Sequence, residues 1–174
     1  TEIVFPDKLK TIGYNVFRDV NQIDRINFPK PLMTICGNPF EGVIIDEINN
    51  LSSEFVVSGS AIFSSMQKKL ISYYSKKEEF KIGDPTEEIG ERAFASNIYI
   101  KHIIVNDGVK KIGKGAFANC PALTIIDLPI SLKTIEDEAF LHTVTEPSIP
   151  IAQQQEKDSF KKYCDITSLT IPCN

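Results

Sequence analysis

Ile112-Gly113-Lys114-Gly115-Ala116-Phe117-Ala118-Asn119-Cys120-Pro121-Ala122-Leu123-Thr124-Ile125-Ile126-Asp127-Leu128-Pro129 carries two periodicities in one short unit. Leu123, Ile126 and Leu128 form an L-x-x-I-x-L pattern whose last step alternates, which predicts a short strand. Pro129 has no N–H to give a ladder, so it suits the strand's exit. Ala116-Phe117 with its flanks is too short for an independent helix and predicts one helical or 3₁₀ turn. Gly113 predicts a chain corner needing either φ > 0 or a close backbone approach.

Working outward, the phrase Ile-Gly-x-x-(Ala/Val)-Phe recurs as Ile12-Gly13…Val16-Phe17 and Ile89-Gly90…Ala93-Phe94, with a variant lacking glycine at Ile135-Glu136…Ala139-Phe140. Phe17 to Phe40, Phe94 to Phe117 and Phe117 to Phe140 are each twenty-three residues apart. Proline recurs twelve residues after the repeat Phe at Pro29 and Pro172. A fixed period in this range means stacked supersecondary units, each unable to bury its apolar face without neighbours.

The 174 residues are 42% hydrophobic, ordinary for a folded chain, and the net charge of −4 with pI near 5.3 gives no general attraction to nucleic acid or acidic membrane. The pairs Lys68-Lys69, Lys76-Lys77, Lys110-Lys111 and Lys161-Lys162 sit among Glu and Asp and read as solvated faces. No apolar run approaches the roughly 18–20 residues of a membrane span, so no membrane insertion is expected. There is neither a signal-peptide pattern nor an initiator Met. Thr1-Glu2-Ile3-Val4-Phe5-Pro6 and Leu169-Thr170-Ile171-Pro172 both fall mid-repeat, so the chain is expected to be a piece of a longer or processed protein whose ends stack on further repeats or on neighbouring subunits. Cys36 and Cys120 fall inside repeat frames, where a small thiol packs as a hydrophobe. Cys164 and Cys173 leave room for a terminal disulfide, and the redox compartment stays open.

The motif I-G-x-x-A-F…L-x-x-I-x-L-P-x-x-L-x-x-I resembles the BspA-type leucine-rich repeat of bacterial surface proteins and parasitic protists, over nearly the whole chain. The resemblance implies an α/β, predominantly β solenoid over 1–174, with a parallel sheet on one face and short helical turns opposite. Phe40 to Phe94 is one repeat plus thirty-one residues. Within it, 55–64 and 69–74 resemble the β-hairpin that interrupts this family's repeats, with Ser65-Met66-Gln67-Lys68 as its turn and an insertion at about 52–80. Cys36 replaces the usual glycine, with Pro39 before Phe40. After Phe140 the next aromatic, Phe160, arrives three residues early, so 141–174 reads as an atypical terminal repeat in which 152–163 looks like a polar amphipathic helix.

Gly113-Lys114-Gly115-Ala116-Phe117-Ala118 fits G-x-G-x-x-A with Glu136 downstream, but the other repeats lack the second glycine and no long helix follows, which argues against a dinucleotide site. His102 and His142 stand outside any metal-ligand spacing and read as surface residues. Glu136-Asp137-Glu138 reads as a solvated corner, since a calcium loop needs many convergent oxygens. Cys120 has no base to activate it. Asn50-Leu51-Ser52 is a glycosylation sequon that matters only in a secreted chain. No catalytic, metal or cofactor residues are assigned.

The outward strand positions remain: Arg25 and Asn27, His102 and Ile104, Ile125 and Asp127, Ser168 and Thr170. Stacking aligns them into a partly apolar face, with Ile104 and Ile125 expected as an adjacent exposed pair. The expected function is a non-catalytic protein-recognition or adhesion scaffold of a surface-exposed or secreted repeat protein. It would engage another protein or surface macromolecule and not nucleic acid. The alternative is a structural component of an intracellular, cytoplasmic or cytoskeletal assembly.

Overall fold

A computed structural model describes residues 1–143. The expectations on Ser168, Thr170, the 152–163 helix and the Cys164–Cys173 bridge therefore lie outside the described residues. Within them the chain winds into rungs. The outer strands are β1 (Glu2–Val4), β3 (Gln22–Phe28), β5 (Ile44–Asn50), β9 (Glu79–Ile82), β11 (His102–Val105) and β13 (Ile125–Asp127). After each corner, which carries proline in every rung but that of β12, comes a second, two-residue strand: β2 (Thr11–Ile12), β4 (Thr34–Ile35), β10 (Glu88–Ile89), β12 (Lys111–Ile112) and β14 (Thr134–Ile135). The insertion supplies β6 (Phe55–Ser58), β7 (Ala61–Ser64) and β8 (Lys69–Tyr73).

The main sheet is parallel and comes in two pieces, β1-β3-β5 and β9-β11-β13. The opposite ladder holds β2-β4 and, in one six-stranded sheet, β14-β12-β10-β8-β7-β6, in which β6, β7 and β8 pair antiparallel. Between β10, β12 and β14, like positions sit under like positions, as in Ile89↔Ile112↔Ile135. The cause is alternation: Ile103, Val105, Ile126 and Leu128 turn inward and are buried, while their neighbours face out.

The turns carry the repeat Phe inward. Phe94 stacks on Phe117 at 5.1 Å and Phe117 on Phe140 at 5.3 Å, all three fully buried; Phe17 stacks on Phe40 at 5.0 Å. None of these turns is a helix. Alternate N–H groups close local turns, as in Ala95 to Arg92 O at 2.9 Å, while the intervening ones cross to the next rung, as in Phe94 to Ala116 O and Ser96 to Ala118 O, both 2.8 Å. A helix turns its N–H groups along its own axis to carbonyls four residues back, so rung-to-rung bonding and helix formation are alternatives here. Positive φ falls two residues before and after Phe94, Phe117 and Phe140, at Arg92 and Ser96, Gly115 and Asn119, and Glu138 and His142. It does not fall at the motif glycines. Gly90 and Gly113 are needed for close approach instead: an added Cβ would stand 2.6 Å from Leu70 O and 2.8 Å from Glu91 N respectively.

The stretch expected as one hairpin arm, 55–64, is two strands. Gly59 and Ser60 have φ of 58° and 67°, the signature of a two-residue type I′ connection. The second turn falls where expected, closed by Gln67 N–H to Ser64 O at 2.7 Å. The β7–β8 pair is buried on both faces and forms a wall. Ile62, Ile71 and Tyr74 join the core of the first repeats, and Ala61, Phe63, Leu70 and Tyr73 that of the later ones. The interior is thus two cores, not one continuous column. The insertion interrupts the main sheet but not the stack of turns. Gly42 donates to Ala95 O at 3.2 Å, and buried Asn38 donates to Arg92 O at 2.8 Å and Ala93 O at 3.3 Å.

Candidate protein-recognition face

The outward residues of the main sheet form rows set by register. On the first piece they are Glu2–Arg25–Glu47 and Val4–Asn27–Asn49; on the second, Glu79–His102–Ile125 and Lys81–Ile104–Asp127. All six described residues expected on this face turn outward: Arg25 and Ile125 are exposed, and Asn27, His102, Ile104 and Asp127 half-buried. Ile104 and Ile125 do not pair directly. Each faces a polar neighbour across the ladder, so the two isoleucines meet only on the diagonal, still within reach for side chains of this length.

Charge on this face is largely paired. Arg25 Nε lies 2.9 Å from Glu47 Oε2, and Asn49 Nδ2 donates to Asn27 Oδ1 at 3.1 Å. His102 bridges three strands, with Nε2 2.9 Å from Asp127 Oδ2 and Nδ1 3.3 Å from Glu79 Oε2. The hydrogen bond to Asp127, reinforced by the charges of Asp127 and Glu79, raises the His102 pKa against the opposing effect of partial burial. His102 is therefore an electrostatic bridge in the face, more than the plain surface residue expected from its position.

Glu79 and Lys81 escaped the sequence reasoning because the insertion hides their rung. Subtracting one period from His102 reaches Glu79 and would have found them.

The other candidates fall as follows. His142 is exposed, its Nδ1 3.0 Å from Asn119 Oδ1. Glu136 lies 2.7 Å from Lys111 Nζ and accepts the Lys114 N–H at 2.9 Å. Cys120 is fully buried with its thiol 3.1 Å from Phe94 O, and burial pushes its pKa up to about 12, far from a reactive thiolate. At the sequon, the Asn50 amide donates to Phe55 O at 2.8 Å, and Ser52, itself buried, donates its hydroxyl to Leu32 O at 2.6 Å. Those groups hold the entry to the insertion. Gly113 and Gly115 lead into a turn, not the helix a dinucleotide motif requires.

On the opposite ladder the charges alternate. Glu87 lies 3.0 Å from Lys68 and 2.8 Å from Lys110, while Glu88 lies 2.9 Å from Lys69. Hydrogen bonds from Lys110 and Lys68 hold the half-buried Glu87 carboxyl down at about 2. At the edge of the turns, Asn15, Arg18, Asp19, Pro39, Glu41, Arg92 and Ser96 line a polar depression of about 350 Å³. There Arg92 and Ser96 bind the Glu41 carboxylate. Burial pushes that carboxyl up, but the Arg92 and Ser96 hydrogen bonds outweigh it and hold it below the usual range. Among the described residues no group of three or more His, Cys, Asp or Glu is placed to hold a metal ion, and no helix is long and apolar enough to cross a membrane.

Fold and face together define a leucine-rich-repeat solenoid of the kind that serves as a scaffold for protein interactions. The model of the BspA type leucine rich repeat region matches residues 1–73 and 65–174 in six copies, and the chain belongs to that family. Among solved structures it is similar to the pneumococcal vaccine antigen PcpA, at 27% identity and TM-score 0.70, over 81% of this chain and 39% of that one. A leucine rich cell surface protein of Faecalibacterium prausnitzii shares the fold at 18% identity and TM-score 0.61, over 94% of this chain and 56% of that one. A leucine-rich repeat protein of Eubacterium ventriosum does so at 20% identity and TM-score 0.56, over 84% and 54%. The chain thus spans about two fifths to just over half the length of these proteins. No curated protein matches the sequence.

Proposed function

We propose that this chain is a non-catalytic recognition module of a surface-exposed or secreted repeat protein, and that it engages another protein through the outer face of its main sheet. The observation that carries the reading is the second sheet piece, where Ile104 and Ile125 lie diagonally side by side within a rim of paired charges. Ile125 keeps 49% of its surface exposed. Apolar residues within a polar rim are the usual anatomy of a protein interface. A cell-surface address is supported by the nature of the similar structures, a vaccine antigen and a cell surface protein.

The test begins with selection of binding proteins from a displayed library, followed by rebinding with Ile104→Glu/Ile125→Glu and, as a control off the face, Tyr14→Glu/Val16→Glu. The face variant should lose binding by about tenfold or more, about 1.4 kcal/mol, with an unchanged circular dichroism spectrum, and the control should not. Equal binding by wild type and a folded face variant would remove the sheet face from consideration.

A further inference from the structure

Strand β9 pairs on one side only. It ends its three-stranded sheet, as β5 ends the other, and among the described residues no ladder joins the two. In the β9–β11 pairing, Glu78 O accepts from the His102 N–H and Ile82 O from the Asn106 N–H, so the even-numbered residues of β9 bond toward β11. In a parallel ladder the intervening residues turn their backbone groups the other way. Glu79 and Lys81 therefore direct N–H and C=O to the open edge. Such an edge is a template for another strand unless it is blunted.

The charges around this edge are unequally satisfied. Each carboxylate on the second sheet piece has a cation or histidine: Glu78 lies 2.8 Å from Lys101 Nζ, and Glu79 and Asp127 both hold His102. Lys76, Lys77 and Lys81, which lead into β9 or lie on it, make no ion pair among the described residues; Lys76 reaches only the Gln22 amide oxygen at 3.5 Å. On the opposite ladder, Lys68, Lys69, Lys110 and Lys111 do have carboxylate partners. Unpaired positive charge therefore gathers at β9, an end strand of the main sheet among the described residues.

We propose that the open edge of β9 docks an extended, acid-rich segment of another protein, which adds a strand beside β9 and sets its carboxylates against Lys76, Lys77 and Lys81. Backbone hydrogen bonds to Glu79 and Lys81 supply register, and the lysines supply preference for acidic sequence. This inference rests on the reading that the sheet is a protein-recognition surface, and it assigns the partner's chemistry.

The experiment uses the whole chain and three synthetic peptides: an alternating Glu/Val octapeptide, its Lys/Val counterpart, and the Glu/Val peptide N-methylated at alternate amides. Binding is read by fluorescence anisotropy at low and high salt. The Glu/Val peptide should bind, weaken about tenfold or more at high salt, where screening is strong, and lose binding to Lys81→Glu; the other two peptides should not bind. No binding of the Glu/Val peptide, equal binding of the Lys/Val peptide, indifference to Lys81→Glu, or full binding of the N-methylated peptide would each overturn the proposal. Ile104→Glu/Ile125→Glu separates the two readings. Glu/Val binding that survives N-methylation but is lost in this variant leaves the face standing and removes the edge. Binding sensitive to N-methylation but unaffected by the variant leaves the edge and removes the face.

Discussion

Asn38 is the side chain on which the joint between the two parts of the solenoid most depends. It is 3% exposed, donates to Arg92 O and Ala93 O, and accepts the Phe40 N–H at 3.0 Å. Its substitution by Ala does not orphan the carbonyls. Arg92 O still accepts from Ala95 N–H at 2.9 Å and Ala93 O from Tyr73 N–H at 2.8 Å. The Phe40 N–H does lose its partner. One unsatisfied buried donor costs about 1–3 kcal/mol, and the lost cross-insertion hydrogen bond about 1 more, so Asn38→Ala should cost about 2–4 kcal/mol. Urea unfolding followed by circular dichroism measures it, with the midpoint falling and a broader transition if the two cores come apart.

Asn38→Asp sharpens the argument. A buried carboxylate there would face two carbonyl oxygens, which raises its folded-state pKa above the unfolded value. Its stability contribution is then fully present below the unfolded pKa, where the protonated group can donate to Arg92 O, and is lost as pH rises through the folded pKa. The Asp variant should therefore be closer to wild type at pH 4 than at pH 7. A cost below about 0.5 kcal/mol for Asn38→Ala, or an Asp variant indifferent to pH, would show that Asn38 is not the stitch described.

Phe117→Ala, which removes a fully buried ring stacked on both sides, should cost about 3–5 kcal/mol in the same urea assay, whereas Tyr14→Ala, 63% exposed, should change stability by less than about 0.5. Ser72 is fully buried in the β7–β8 wall and its hydroxyl has no hydrogen-bond partner among the described residues, so Ser72→Ala should be neutral or stabilising by up to about 1 kcal/mol in thermal unfolding. Because the His102 pKa is raised in the fold, its contribution is complete below its unfolded pKa and lost as pH rises through the folded value. An NMR titration should place His102 above the ordinary histidine range, and Asp127→Asn should bring it down; no movement on that substitution would contradict the bridge.

The rungs were legible because each restates the same local instruction at the same phase: Ile inward, a turn around Phe, then alternation, with proline closing some of them. The Phe94–Phe117–Phe140 stack follows from that repetition. The helical turns were misjudged for a reason internal to such repeats, since pattern alone does not say whether an N–H bonds within its own turn or to the neighbouring rung. Gly59-Ser60 was passed over because it lies inside an apolar, alternating run that reads equally well as one long strand.

From sequence alone came the period, the solenoid, the family resemblance and the outward positions Arg25, Asn27, His102, Ile104, Ile125 and Asp127, all consequences of short-range phase that any stacked neighbour respects. Only the tertiary structure placed Asn38 against Arg92, turned β7 and β8 into a two-faced wall, set His102 between carboxylates one rung away on either side, and left β9 with an open edge. Those features depend on what an insertion between Phe40 and Phe94 brings together. Proximity across so long a stretch is set by packing, which no local pattern encodes.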